Sequence, residues 1–70
     1  MIHETRFNSV AELQALQRLA CEVDEDVFIH SKDGKVRVDA KSFIGLFTLD
    51  FSQPVDIVTE SQYVINKLNK

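Results

Sequence analysis

The dipeptide Asp33-Gly34, at the centre of DVFIHSKDGKVRVDA (residues 26–40), constrains this chain more than any other feature. An Asp-Gly pair between alternating apolar residues is a strong hairpin signal, because a type I′ turn needs positive φ at both central positions. Placing the pair at the turn sets Lys32 opposite Lys35, Ser31 opposite Val36, Ile29 opposite Val38 and Val27 opposite Ala40. This register gathers Val27, Ile29, Val36, Val38 and Ala40 on one face, and Phe28, His30, Arg37 and Asp39 on the other. A slip of one residue would mix the two sets. The hairpin therefore has one core face and one mostly wet face, on which Phe28 is out of place.

A two-stranded hairpin is not stable alone and needs further strands or a helix over its apolar face. Both are legible. Residues 2–7, IHETRF, read as a first strand. In NSVAELQALQRLACEV, Ser9 and Glu12 have the capping-box spacing: the serine oxygen accepts from an early helix N–H and the glutamate reaches back to the cap's own N–H. Val10, Leu13, Leu16, Ala20 and Val23 follow at steps of three and four, with Leu19 widening the stripe, which predicts an amphipathic helix of about four turns. After the hairpin, residues 42–49 read as a short helix capped by Ser42. PVDIVTE reads as a strand with Val55 and Ile57 inward. SQYVINKLNK reads as a serine-capped final helix carrying Val64, Ile65 and Leu68. The order β-α-β-β-α-β-α predicts an α+β open-faced sandwich, with a mainly antiparallel four-stranded sheet and three helices on one face.

With 70 residues the chain makes one small domain, 1–70. Its 44% hydrophobic and 27% charged content is that of a globular protein rather than a disordered one. Cys21 is the single cysteine, so no intrachain disulfide forms, and a reducing cytoplasmic location is expected. No window is apolar enough to span a membrane, and no signal peptide is legible. The formal charge of −3 and the lack of a dense Lys/Arg stripe argue against nucleic acid as a partner. His3, His30 and Cys21 lack ligand spacing, so no metal or other cofactor is expected. No nucleophile–base pair or glycine-rich phosphate loop is present, so the chain is not expected to be an enzyme.

The oiliest stretch is AKSFIGLFTLDF, residues 40–51. Ala40, Lys41, Ser42, Phe43, Ile44, Gly45, Leu46 and Leu49 match in order a motif of HPr, the histidine-containing phosphocarrier of the bacterial sugar phosphotransferase system. Together with the element order, the chain resembles that family over nearly its whole length, with a clipped final helix. In Gram-positive members the motif serine is phosphorylated by a dedicated kinase, and the phosphorylated form docks on a transcriptional repressor. The resemblance implies that Ser42 is a regulatory phosphorylation site, and that Phe43, Ile44 and Phe47 bind a partner. A phosphoserine at a helix cap faces free backbone N–H groups and the positive end of the helix dipole.

The other half of the family signature is missing. The phosphoryl-bearing histidine at the start of the first helix is replaced by Ser9, the arginine two residues on by Ala11, and the following proline by Glu12. A serine ester is too stable to relay phosphate, and the Glu12 carboxylate stands where the family uses positive charge. The expectation is a regulatory or protein-interaction domain, incompetent for histidine phosphoryl transfer, acting through Ser42 and the helix behind it. Its expected partner is a protein, such as a kinase or a repressor, and the chain itself a monomer or weak homodimer. Two alternatives stand beside it: a small oligomerisation module burying Phe28 or the 42–49 patch, and a phosphocarrier with a non-standard acceptor. Under the plainest reading Ser9 and Ser42 are helix caps, and the acidic run Glu22, Asp24, Glu25 and Asp26 is a solvated loop.

Overall fold

In a computed structural model of the chain, residues 1–42 and 53–68 are described. They form strand β1 (Ile2–Thr5), helix α1 (Val10–Cys21), strands β2 (Val27–Ser31), β3 (Arg37–Asp39) and β4 (Val55–Thr59), and helix α2 (Gln62–Leu68). The helix expected over 42–49, with Phe43, Ile44 and Phe47, lies outside the described residues apart from Ser42. The fold is a four-stranded antiparallel open sheet with two described helices, in strand order β1-β4-β2-β3.

The last strand in sequence is thus central in space. β1 and β2 are each antiparallel to β4 and so run parallel to one another. The chain between them must return to its starting end, and α1 makes that return, as crossovers commonly do. Cross-strand register builds rows across the sheet. His3, Ile57, Ile29 and Val38 stand side by side, with Thr59 opposite Val27 in the same alternation. Val27, Ile29 and Ile57 on this face are fully buried, and Val55 nearly so. Leu13, Leu16 and Ala20 from α1 and Val64 from α2 join them in one cluster, with Phe7 and Ala40.

Each helix begins on a serine. Ser9, in extended conformation, accepts from the Glu12 N–H at 3.2 Å through its Oγ. Ser61 does the same for Val64 at 3.3 Å, but Ser61 is buried. Four details depart from the sequence reading. α1 ends at Cys21, two residues before the last position of the expected stripe, although Val23 beyond it still packs on the core. Val10, expected in the buried stripe, is 46% exposed at the first position of the helix. β1 stops at Thr5, two residues short of the strand read over 2–7, and Phe7 turns into the core instead.

The hairpin turn is the fourth. The expected register holds, with Ile29 opposite Val38, the Ser31 N–H donating to the Val36 carbonyl and the Ala40 N–H to that of Val27. The expected turn type does not. Gly34 has φ 75°, but no non-glycine residue has positive φ, so Asp33 is not in the conformation a type I′ turn requires. The Gly34 N–H instead closes on the Ser31 carbonyl at 3.0 Å, leaving a left-handed glycine just after the turn. The Asp33 carboxylate holds it by accepting from Ser31 Oγ at 2.6 Å and from the Lys35 N–H at 3.0 Å. The same two bonds, the Ser31 one foremost, hold its carboxyl pKa below the ordinary value.

Candidate functional site

Three places concentrate the chemistry-bearing residues. The first is the start of α1, where the resemblance puts Ser9, Ala11 and Glu12. Both polar side chains are committed to backbone: Ser9 caps Glu12, and Glu12 Oε2 accepts the Asn8 N–H at 2.7 Å. The reciprocal half of the capping box therefore falls on Asn8 rather than on Ser9 itself. Ala11 is exposed and brings no charge. His3 stands on β1 opposite Ile57, and His30 on β2 between Asp56 and Arg37. Among the described residues neither imidazole bonds to Ser9 or Glu12. An open groove of about 300 Å³ runs beside this helix over Phe7, Leu16, Leu19 and Leu68, with Arg6 and Lys67 at its margin.

The second place is the Ala40-Lys41-Ser42 segment. It is tied down on several sides. The Asp39 carboxylate accepts the Lys41 N–H at 2.9 Å, and the Asp39 carbonyl accepts the Ser42 N–H at 3.0 Å. Gln17 on α1 donates its side-chain amide to the Lys41 carbonyl at 3.3 Å, and Lys41 Nζ donates to the Val23 carbonyl at 3.0 Å. Ala40 is buried, whereas Ser42 is exposed. Phe43, Ile44 and Phe47, the residues expected to join Ser42 in partner binding, lie outside the described residues.

The third place was only half legible in the sequence. The sheet face away from α1 and α2 carries two rows. In one, Glu4, Asp56, His30 and Arg37 are neighbours. Carboxylates directly opposite each other repel. Lys32 lies between this pair, 2.6 Å from Glu4 Oε2 and 2.6 Å from Asp56 Oδ1. Hydrogen bonding to Asp56 first, then to Glu4, raises the Lys32 pKa above its ordinary value. In the other row Ile2, Val58, Phe28 and Asp39 stand side by side, with Ile2 70% exposed and Val58 and Phe28 half-buried. The Phe28 ring also meets that of His30, tilted, with centroids 6.4 Å apart. Phe28 and Val58 floor a cleft of about 370 Å³ walled by Glu25, Asp26, Thr59 and Glu60. The sequence marks Phe28 as misplaced and the 22–26 run as acidic. Val58 joins them only because β4 inserts beside β2, a long-range pairing that no local pattern announces.

Among the described residues no group of three or more His, Cys, Asp or Glu side chains is placed to hold a metal ion. Nor is any described helix long and apolar enough to cross a membrane. Cys21 is exposed and unpaired with another cysteine. Comparison with protein-family models, with curated proteins and with solved structures finds no match.

Proposed function

We propose that the chain is an HPr-like regulatory domain that acts by binding another protein, switched by phosphorylation at Ser42, and that it neither relays phosphate nor catalyses a reaction. The observation that carries this reading is the presentation of Ser42. The residues before it are anchored to β3, to α1 and to the chain just after α1, while Ser42 itself is exposed. A kinase needs such a reachable hydroxyl on a defined backbone. The strand directions support a third helix behind it: β3 and β4 run parallel with β2 between them. Crossing from one to the other calls for about a dozen residues, usually helical. Phe43, Ile44 and Phe47 would lie on that helix and supply the docking patch, and the added phosphate would alter its partner choice. The bacterial cytoplasm, where Cys21 stays reduced, is the proposed setting.

Treatment with HPr-type serine kinases followed by mass mapping is expected to place one phosphate on Ser42, and none on the Ser42→Ala variant. Failure of every kinase tried to modify Ser42 counts against the switch. The engagement of Ser9 and Glu12 in helix capping supports the loss of carrier chemistry. Incubation with the general phosphotransferase enzyme and phosphoenolpyruvate is expected to leave the chain unmodified. Stoichiometric acid-labile phosphorylation would overturn that part of the proposal.

A further inference from the structure

The geometry points to a second, separate interaction site: we propose that the cleft over Phe28 and Val58 docks a basic segment of another protein that carries an apolar anchor side chain. The floor is apolar, lies on the sheet face away from α1 and α2, and is outside the core cluster of the described residues. One wall is the chain at Glu25 and Asp26, and it is fixed in place. Thr59 Oγ1 donates to the Asp26 carbonyl at 2.7 Å and accepts the Ser61 N–H at 3.1 Å, which joins the loop, β4 and the start of α2. The carboxylates of Glu25 and Asp26 are exposed and form no hydrogen bond or ion pair among the described residues. Glu60, on the opposite side, has the Met1 ammonium 3.8 Å away and remains 89% exposed.

Charge selects the occupant. A second copy of this chain, at net charge −3, would bring the same acidic walls against each other, and a nucleic acid would bring its phosphates. A basic segment matches the walls, and an apolar side chain between its lysines or arginines fits the floor. In such a site the desolvated anchor supplies most of the affinity, and the rim charges supply encounter rate and specificity. The partly buried Phe28 on the sheet's outer face and two carboxylates of the acidic run thereby become parts of one site. The unphosphorylated chain carries this site, so its test does not depend on Ser42.

Three peptides of equal length serve as probes: lysines flanking one leucine, glutamates flanking one leucine, and lysines flanking one serine. Amide chemical shifts of the labelled protein are followed to millimolar peptide. The first peptide is expected to shift Glu25, Asp26, Phe28, Val58 and Glu60 saturably, and the other two are not. The double variant Glu25→Gln/Asp26→Asn, which alters only exposed side chains, is expected to weaken binding about tenfold. Phe28→Ser is expected to abolish it. Raising salt to about 1 M, where the screening length is about 3 Å, is expected to weaken it as well. The proposal is overturned if none of these amides moves, if the glutamate peptide binds equally well, or if the double variant binds like the parent. It is also overturned if the same amides shift on diluting the protein alone, which would assign the face to a second copy.

Discussion

The two faces of the sheet are built from the same strands, yet they obey different rules. Ile29 and Phe28 are consecutive on β2. Ile29 is fully buried beneath the helices, whereas Phe28 stays half-exposed beside Val58 and His30. On the covered face Val27, Ile29 and Ile57 are fully buried, and size is the constraint. On the open face acidic groups, one bridging lysine and a short apolar row coexist, and charge is the constraint. A large apolar residue kept on the second kind of surface is free to serve contacts outside the chain, since its neighbour already meets the needs of the core.

That contrast is most directly broken at the covered face. Ile29→Ala is expected to cost about 2–5 kcal/mol through lost burial and the cavity left behind. A domain of this size has about 4–10 kcal/mol in total, so a large share of its stability should be lost. A urea midpoint shift corresponding to well under 1 kcal/mol would show that this face is not the core. The two serine caps sharpen the comparison at the next level. Ser61→Ala is expected to destabilise by about 1–3 kcal/mol, because it leaves the Val64 N–H without its partner in a buried setting. Ser9→Ala, at an exposed cap, should fall near 1 kcal/mol. The reverse ranking in thermal melts would mean that burial does not govern the caps.

On the open face the expected stability effects are smaller. Phe28→Ser should cost less than Ile29→Ala, about 1–2 kcal/mol, because Phe28 is only partly buried. A loss as large as that of Ile29→Ala would make Phe28 a core residue and remove the distinction between the faces. The charged groups come last. Asp33 has a carboxyl pKa lowered by folding, so its contribution is complete above the ordinary value and fades as pH falls through the folded one. Lys32 has a raised pKa, so its contribution is complete below the ordinary lysine value and fades as pH rises through the folded one. Both side chains are exposed and the effects should be slight. Asp33→Asn should flatten the acid limb of the stability profile and Lys32→Gln the alkaline limb. Unchanged profiles would show that neither pair is formed in solution.

Local pattern made some of this architecture readable. The hairpin register follows from a period of two and from the penalty of a one-residue slip, so local pattern alone puts Val27, Ile29, Val38 and Ala40 on one face. The stripe of α1 and both serine caps are equally local. The turn departs from the type I′ expectation because an Asp-Gly pair also suits a turn centred one residue earlier, on Lys32 and Asp33, with the left-handed glycine following it. Glu12 is the capping glutamate the spacing predicts, but it accepts the Asn8 N–H, one residue before the expected Ser9 N–H. The cleft depended on the pairing of Ile2 with Val58 and of Val58 with Phe28, which sequence spacing does not encode. At the proposed phosphorylation site, the motif gave Ser42 its candidacy, but only the three-dimensional anchoring of Lys41 supplies a reason for its presentation.

The position of β4 also dictates an order of assembly. During synthesis β1, α1 and the β2–β3 hairpin emerge first, but β1 and β2 do not touch as partners, because the strand that belongs between them has yet to be made. Until residue 59 has left the ribosome the sheet exists only as a hairpin and a loose strand, with Val27, Ile29 and the apolar stripe of α1 lacking Val55 and Ile57 to close on. The final strand is thus the keystone, and the nascent chain depends on its arrival to leave an aggregation-prone state.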